Sequence, residues 1–452
     1  MELTIEYPLS TNINAKPRLA GPPETKEMMA LNVDVYTDET AFQSLASEWN
    51  ELVIKADAPL CMTLEWVENW WHHFGENPNR QLYIITMRNK KKLVGLAPFY
   101  VGYSGIAGQV IHRRLQIIGS GGSKNEQWGF TNDYGISDFL DIITDPEFRE
   151  PLGVLLMDIL SVLTENVDEI TFHQVREDSF IKQVLFPKME SKSWQVTLNH
   201  SDTCPYVDLA GISNLDDFIK GVKSNARRRL RQTMRAMDKE PEFLVTEVLT
   251  PDGLMRATQR LIELHQARWN ELGFPGVFHD KRFEQFFEDL IKKSAEKKWL
   301  WFKEAQDVAG VSASRMLIRF NGRFYDYISG FDPESPSAKY RPGFGLLLEV
   351  VQDAIAQNIN RIELLRGEES YKYDFTDLNF KNWEISITSE AHKSLVKRLS
   401  NKLLRVVSAI YTTVGKEKNL LKVQYQNRGW MGALPGYISF RTESIRRRLK
   451  GD

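Results

Sequence analysis

The sequence predicts an α/β protein in which two similar units follow one another along the chain. Strand-like alternation begins at Leu31, in LNVDVYT, and between such segments apolar residues recur at helical spacing. Each half repeats one order: a strand, two helices, a strand hairpin, then a helix and a strand. With 452 residues, of which 42 % are apolar, the chain is long enough for two or three domains. Strands and helices mixed in this order indicate helices layered on a central sheet.

The first half supplies its elements in that order. Helical spacing at Phe42, Leu45 and Trp49 predicts a first helix, and Thr63 is the expected N-cap of a second, LEWVENWWHHF. In this second helix Trp66, Trp70 and Trp71 have the spacing of core residues. The segments QLYIITM and LVGLAPFYV flank the turn RNKKK and predict a hairpin. A Gly-rich loop from Ile118, a helix over residues 146–163 and the strands EITFHQV and WQVTLN follow.

The second half begins near Pro205. Three helical segments, NLDDFIKGVKSNARRRLRQTMRAM, GLMRATQRLIELHQARWNELG and FEQFFEDLIKKSAEKK, precede three strand-like runs. The last two runs meet at Asn321-Gly322, a pair that supplies the positive φ angles of a tight hairpin. A helix over residues 343–357 and the strand RIELL complete this half.

The two ends of the chain differ from its body. Residues 1–30 are polar, contain proline and lack periodicity, which predicts a flexible leader. Residues 391–452 carry 14 basic against 3 acidic residues, although the whole chain has a formal net charge of −2. Apolar residues at helical spacing from Leu395 to Val414 make this a basic amphipathic tail. Either it contacts an anionic partner such as a membrane surface, or it packs on the acidic body.

Composition excludes several classes of protein. Two cysteines, Cys61 and Cys204, provide neither a disulfide framework nor a thiolate metal cluster. The eight histidines show no paired ligand spacing, so we expect no metal, and Walker and G-x-S-x-G motifs are missing. Without a signal-peptide pattern or a long apolar run, we expect a soluble cytoplasmic protein, peripheral at the inner membrane surface if the tail binds lipid.

Several short motifs carry a family resemblance. In the second half they are Leu264-His265-Gln266-Ala267-Arg268-Trp269 followed by Gly273-Phe274-Pro275-Gly276-Val277-Phe278, Gly330-Phe331-Asp332-Pro333 followed by Pro342-Gly343, and Leu365-Arg366-Gly367-Glu368-Glu369-Ser370-Tyr371-Lys372. In the first half they are Glu65-Trp66 with Trp70-Trp71, Ala97-Pro98, and Ser137-Asp138-Phe139-Leu140-Asp141. On these residues the chain resembles, over residues 31–387, the CelD-like (cellulose-biosynthesis-associated) acetyltransferases of the GNAT superfamily.

The resemblance implies tandem GNAT-like domains, residues 31–204 and 205–390, with the active site in the second. It also implies transfer of an acyl group from acetyl-CoA or another acyl-CoA to an amine. The acceptor would be a sugar, lipid or cell-envelope precursor, as in polysaccharide biosynthesis. Two alternatives stay open: a Fem-like transferase that takes its acyl group from aminoacyl-tRNA, and a non-catalytic binding protein of the same fold. Nucleic acid is expected as a partner only in the Fem-like case.

A donor site is expected at Arg341, Gly343, Phe344 and Gly345. This segment follows a strand and opens a helix, where free N–H groups and the positive helix end suit a pyrophosphate. Glycines allow close approach to the backbone. The resembling proteins usually have Gln/Arg-x-x-Gly-x-Gly/Ala here, whereas Arg341 lies one place late. Pro342-Gly343 also suits a plain helix start, without a ligand.

Candidate catalytic residues are His265, Glu368 and Asp326 as bases and Tyr371 as an acid. Glu368 and Tyr371 would share a face if they lay on one helical turn. Many of the resembling proteins carry Asp where Glu363 and Glu368 stand. Asp326 lies in an alternating strand and would otherwise be a solvated residue.

Candidate substrate-binding residues are Arg268, Trp269, Arg366 and Lys372, the last two for an anionic group. Two of them also have a structural interpretation: a helix surface for Arg268, and a turn with an ion pair for Arg366. A basic helix face, Arg227-Arg228-Arg229 with Arg231 and Arg235, would bind a phosphate-bearing substrate, or RNA in the Fem-like case, or would simply be solvated.

Overall fold

The computed structural model describes residues 31–76, 78–106, 109–120, 136–192, 194–239, 244–248, 250–271 and 276–388. The predicted leader, the second part of the Gly-rich loop, the Gly273-Phe274-Pro275 segment and the basic tail lie outside the described residues.

Helices and strands are both present in each half of the described chain. The helices are α1 (Thr40–Lys55), α2 (Leu64–Trp70), α3 (Arg149–Asn166), α4 (Phe186–Glu190), α5 (Leu215–Gly221), α6 (Ser224–Lys239), α7 (Pro251–Glu271), α8 (Lys281–Glu296) and α9 (Pro342–Ala356). The strands are β1 (Leu31–Tyr36), β2 (Arg80–Asn89), β3 (Lys92–Ile106), β4 (Gln109–Ile117), β5 (Ile143–Thr144), β6 (Glu169–Arg176), β7 (Gln195–Asp208), β8 (Leu244–Glu247), β9 (Leu300–Asp307), β10 (Gly310–Phe320), β11 (Arg323–Phe331), β12 (Arg361–Glu363) and β13 (Asn379–Thr388).

Local sequence rules hold at the predicted caps and turns. The Thr63 hydroxyl accepts a hydrogen bond from the Trp66 N–H and so caps α2 as predicted. The β10–β11 hairpin turns at Asn321 and Gly322, whose φ angles are 45° and 71°. Trp66, Trp70 and Trp71 are buried, which confirms that they belong to the core.

A single mixed sheet runs through the molecule. Its order is β1-β2-β3-β4-β6-β13-β7-β12-β11-β10-β9-β8, with β5 paired to β3. The pairs β4–β6 and β11–β12 are parallel, and the other described pairs are antiparallel. Strand β7 pairs with β13 over most of its length and with β12 at its end, so it links the two halves. The last strand, β13, returns to the first half and lies between β6 and β7.

The two halves repeat one arrangement around their parallel strand pairs. Elements β1-α1-α2-β2-β3-β4-α3-β6 of the first half correspond in order to β8-α7-α8-β9-β10-β11-α9-β12 of the second. The anticipated boundary between residues 204 and 205 falls inside β7, so the division into two domains remains a prediction.

Several elements differ from the sequence expectation. Strands β4, β5, β8 and β13 and the short helix α4 were not predicted. The first helical segment of the second half, expected to be continuous, is broken at Val222 and Lys223 into α5 and α6. Val222 is extended there, with ψ of 163°, and its carbonyl accepts a hydrogen bond from the Arg227 guanidinium.

Helix α9 is held firmly on the sheet of the second half. Its apolar face, which includes Leu347, Val350 and Val351, is buried against Phe324 of β11 and Ile362 of β12. Burial of this face fixes the position of the α9 N-terminus relative to the two strands. No helix in the described ranges combines the length and the apolar character needed to cross a bilayer.

Candidate active site

The parallel strands β11 and β12 separate beneath the N-terminus of α9. They pair only from Arg323 to Tyr325 on β11, while β11 continues to Phe331. After β12 the chain follows β7 instead, because the Leu364 N–H donates to the Pro205 carbonyl at 3.0 Å. The β10–β11 register also shifts beside Tyr327, which places a bulge at the point of separation. Among the described residues, β11 therefore has no strand partner on this side beyond Tyr325, and the gap that this leaves in front of α9 forms a cleft.

The first turn of α9 leaves one main-chain donor facing this cleft. Arg341, the N-cap, is left-handed with φ of 59°, and its carbonyl accepts from the N–H groups of Phe344 and Gly345, both at 3.0 Å. Pro342 has no N–H. Within the described residues, the Gly343 N–H is therefore the first-turn donor that the loop does not use.

The two glycines of this turn serve different purposes. A Cβ on Gly343 would meet only Phe331 atoms, at 3.8 Å, so the space above it is open. A Cβ on Gly345 would lie 2.8 Å from the sulfur of Met237 on α6. Gly343 thus allows a ligand to approach, whereas Gly345 makes room for a side chain of the protein. Arg341 is exposed, while the Phe344 ring is buried against Phe375 and does not face a ligand.

A buried ion pair supports the turn from below. The Arg315 guanidinium lies 2.5 Å from the Asp326 carboxylate and donates to the Gly343 carbonyl at 3.2 Å. Both side chains are buried, so the interpretation of Asp326 as a solvated residue is wrong, and its carboxylate is engaged rather than free. Sequence reasoning missed Arg315. A lone arginine in the apolar run of β10 was the available signal.

Tyr371 lies beside the same guanidinium. Burial raises the pKa of Tyr371 to about 12, and the positive charge of Arg315 only partly opposes this effect. The phenol is therefore protonated at neutral pH. Arg315 can donate but not accept hydrogen bonds, so the phenol proton is available to another partner.

Helix α7 closes one side of the cleft through a contact that requires glycine. A Cβ on Gly330 of β11 would lie 2.7 Å from the His265 main-chain nitrogen and 2.8 Å from Leu264 Cβ. The motifs around His265 and Gly330 are thus packed directly together. The Arg268 guanidinium lies 4.8 Å from the centre of the Phe331 ring, and Trp269, nearby on α7, is 39 % exposed. The Phe331 ring therefore lies between Arg268 of α7 and Gly343 of α9.

His265 itself is buried and neutral. Its Nε2 accepts a hydrogen bond from the Trp269 indole N–H at 3.0 Å, and the Phe278 ring meets its edge. Burial lowers the pKa of His265 to about 4. A ring that is engaged in this way and resists protonation is a poor base for a substrate amine.

The segment 365–372 forms a turn rather than a helix. Lys372 is buried, and its ammonium donates to the carbonyls of Leu365, Arg366 and Gly367 and pairs with Glu369 at 2.9 Å. It stabilises the turn from inside. Glu368 is exposed and accepts a hydrogen bond from the Tyr373 hydroxyl at 3.3 Å. Glu368 and Tyr371 therefore do not share a helix face.

Arg366 joins the two halves of the molecule. Its Nε lies 2.7 Å from the Asp138 carboxylate and its Nη2 donates to the Ser137 carbonyl at 2.8 Å. Trp66 of α2 donates to the Ser137 hydroxyl at 2.9 Å. The motif at residues 137–141 thus contacts the motif at residues 365–372. The charge of Arg366 is paired with a carboxylate of the protein itself.

Comparison with known proteins indicates the class of protein to which this fold belongs. The family described as "Acetyltransferase (GNAT) domain" matches residues 224–373. No curated protein matches the chain. Among solved structures, FemX is 9 % identical with a TM-score of 0.52 and covers 79 % of this chain and 98 % of its own.

Two further structures are similar at lower scores. A tandem GNAT protein from the clavulanic acid biosynthesis pathway is 11 % identical, with a TM-score of 0.41 and coverage of 79 % and 99 %. The C-terminal domain of a putative lysylphosphatidylglycerol synthetase from Agrobacterium fabrum is 12 % identical, with a TM-score of 0.43 and coverage of 78 % and 94 %.

These findings confirm the predicted fold class, tandem GNAT-like units on mixed sheets. Residues 224–373 match a GNAT acetyltransferase domain, a class of domain that uses an acyl-CoA co-substrate, and the protein is an acyl-transferring enzyme. The α9 turn fits such a co-substrate, because Gly343 is open and Arg341 and Arg268 lie beside the same cleft. Resemblance to the CelD-like subgroup remains a prediction.

Proposed function

We propose that the enzyme is an N-acyltransferase that moves an acyl group, most simply acetyl, from acyl-CoA to an amine of a sugar, lipid or cell-envelope precursor. The observation that carries this proposal is the open Gly343 N–H at the α9 N-terminus, facing the cleft between separated strands. The helix end and Arg341 would hold the pyrophosphate, with Arg268 at the rim.

The residues around the cleft would each serve a different step of acyl transfer. Unpaired N–H groups on the open edge of β11 would stabilise the oxyanion formed when the amine attacks the thioester. Tyr371, protonated and oriented by Arg315, would give its proton to the departing thiolate sulfur. Glu368, exposed on the turn, would take the proton from the amine.

The decisive experiment is calorimetric titration with acetyl-CoA and with CoA. Gly343→Asp places a negative charge where the pyrophosphate binds, and we expect it to raise Kd at least about tenfold. Gly345→Ala is the matched control, because its Cβ meets only the flexible end of Met237. It should change thermal stability but leave Kd within about twofold. Failure of the wild type to bind either compound at millimolar concentration, or equal Kd values in all three proteins, would overturn the proposal.

Transfer from aminoacyl-tRNA is the second candidate function. Helix α6 packs beside α9 through Met237, and its outward face carries Arg228, Arg231 and Arg235, all exposed. Such a stripe suits a polyanion. Activity that depends on charged tRNA and disappears after ribonuclease treatment would favour this donor over acyl-CoA.

The proposed acceptor also suggests a cellular location for the enzyme. We place it in the cytoplasm, with the basic residues 391–452 contacting anionic lipid at the inner membrane surface, because a lipid-linked precursor would be met there. Co-sedimentation of the full chain with vesicles of anionic, but not neutral, phospholipid would support this placement.

A further inference from the structure

The first half of the molecule contains a cavity of its own, of about 180 Å³. Three segments line it: residues 56–59 between α1 and α2, the chain from Phe139 to the start of α3 at Arg149, and the end of β6 with residues 178–180. In the second half, the corresponding segments are the α7–α8 connection, the chain leading into α9, and the turn after β12. The cavity therefore occupies, beside the β4–β6 pair, the position that the candidate active site occupies beside β11–β12.

The carboxylates of this cavity are already engaged. Asp57 accepts from Asn321 at 2.8 Å and pairs with Arg323. Asp178 pairs with Arg176 at 2.5 Å. Asp141 accepts from three main-chain N–H groups, those of Ile142, Phe180 and Ile181, at 2.7 to 3.0 Å.

One cation in the cavity wall makes no direct polar contact with the described residues. The Arg149 guanidinium has no ion pair or hydrogen bond to any residue in the described ranges, and it lies 5.6 Å from the centre of the Phe180 ring. Arg176 lines the other side, 5.2 Å from the centre of the Phe139 ring. The charge of Arg149 acts on Asp141, but three main-chain N–H groups already hold that carboxylate. The N–H donors of the Arg149 guanidinium therefore remain available to bind a negative group.

Size restricts what such a ligand can be. A volume of about 180 Å³ holds a compact molecule and is far too small for a nucleotide-bearing acyl donor. Guanidinium groups recognise carboxylate and phosphate through paired N–H donors, and the Ser179 hydroxyl in the wall offers a further polar contact.

We propose that this cavity binds a small anionic molecule, carrying a carboxylate or a phosphate, through Arg149. The site is separate from the acyl-transfer cleft and does not depend on the function proposed there. It gives the first half a binding role of its own.

Titration calorimetry with inorganic phosphate and with succinate, at constant ionic strength, tests the site and distinguishes the two anion classes. We expect saturable binding of one of them to the wild type. Arg149→Gln should weaken it at least about tenfold, and Arg149→Lys should weaken it less. Lys188→Gln is the matched control, because Lys188 pairs with the neighbouring Glu150 outside the cavity, and binding should stay within about twofold.

Melting scans establish that each variant is folded. The proposal is overturned if neither anion binds saturably at millimolar concentration, or if Arg149→Gln binds as the wild type does. Titration of the same proteins with CoA is read separately. Loss of CoA binding in every protein would count against the acyl-transfer proposal and leave the anion result standing.

Discussion

His265 is a residue whose titration the fold has changed strongly. Burial lowers its pKa to about 4, and Trp269 donates to its Nε2, so only the neutral ring fits the packed site. In the unfolded chain a histidine titrates near its ordinary pKa of about 6.5. Between these two values the unfolded state binds more protons, so the free energy of unfolding must fall as pH falls through this window.

We therefore expect His265 to make the protein less stable from pH 6.5 down to pH 4. Urea unfolding of wild type and His265→Gln, compared over this range, should differ in slope by up to about 1.4 kcal/mol per pH unit. Above pH 7 the difference between the two proteins should be constant. Asp141, whose pKa burial raises to about 6, acts in the opposite direction but is present in both proteins and cancels. Parallel curves over the whole range would contradict the expectation.

The packing of α7 on β11 depends on one glycine. A side chain at Gly330 would meet the backbone of α7 at His265, and a backbone atom cannot yield as a flexible side chain can. We predict that Gly330→Ala lowers the free energy of unfolding by about 1–3 kcal/mol. It should also weaken CoA binding, because α7 carries Arg268 to the cleft.

Urea unfolding of Gly330→Ala measures this cost, and Gly221→Ala provides the control. Gly221 is the last residue of α5, and a Cβ added there would meet no atom of the described residues within 4 Å. The alanine should therefore change stability by no more than about 0.5 kcal/mol. If both substitutions have the same effect, the cost does not come from the α7–β11 contact.

Elements governed by local rules were predictable, and those governed by distant partners were not. The Thr63 cap and the Asn321-Gly322 hairpin follow from a few neighbouring residues. Strand β4 was missed because charged side chains interrupt its pattern; one of them, Arg114, is buried against Glu169 of the neighbouring β6. That pairing is visible only once the sheet has formed.

The candidate site likewise contains features that the sequence predicted and features that depend on distant partners. Three residues that the motifs singled out, Gly343, Arg268 and Tyr371, lie around the cleft, and their roles in it remain a prediction. The sequence could not reveal that Lys372 and Arg366 are used by carbonyl and carboxylate groups of the protein. For Arg315 the signal was a lone arginine in an apolar strand, and its role depends on Asp326 and the Gly343 carbonyl, partners that the sequence alone does not identify.

At the scale of the whole molecule, two strands make the halves depend on each other. β13 comes from the end of the described chain but pairs with β6 and β7, and β7 in turn pairs with β12. The Arg366–Asp138 pair adds a polar contact between the halves, with Asp138 buried. Unfolding either half would expose the edges of strands that belong to the other and leave a buried charge unpaired.

We therefore predict that both halves unfold in one cooperative transition, despite their repeated architecture. Hydrogen exchange measured by mass spectrometry along a urea titration can follow residues 80–106 and residues 300–320 in the same sample. Their protection should be lost at the same urea concentration. Asp138→Asn removes the charge partner of Arg366 and should lower both midpoints together, because the contact belongs to both halves. Loss of protection in one segment while the other remains protected would mean that the halves are independent domains joined only by their shared strands.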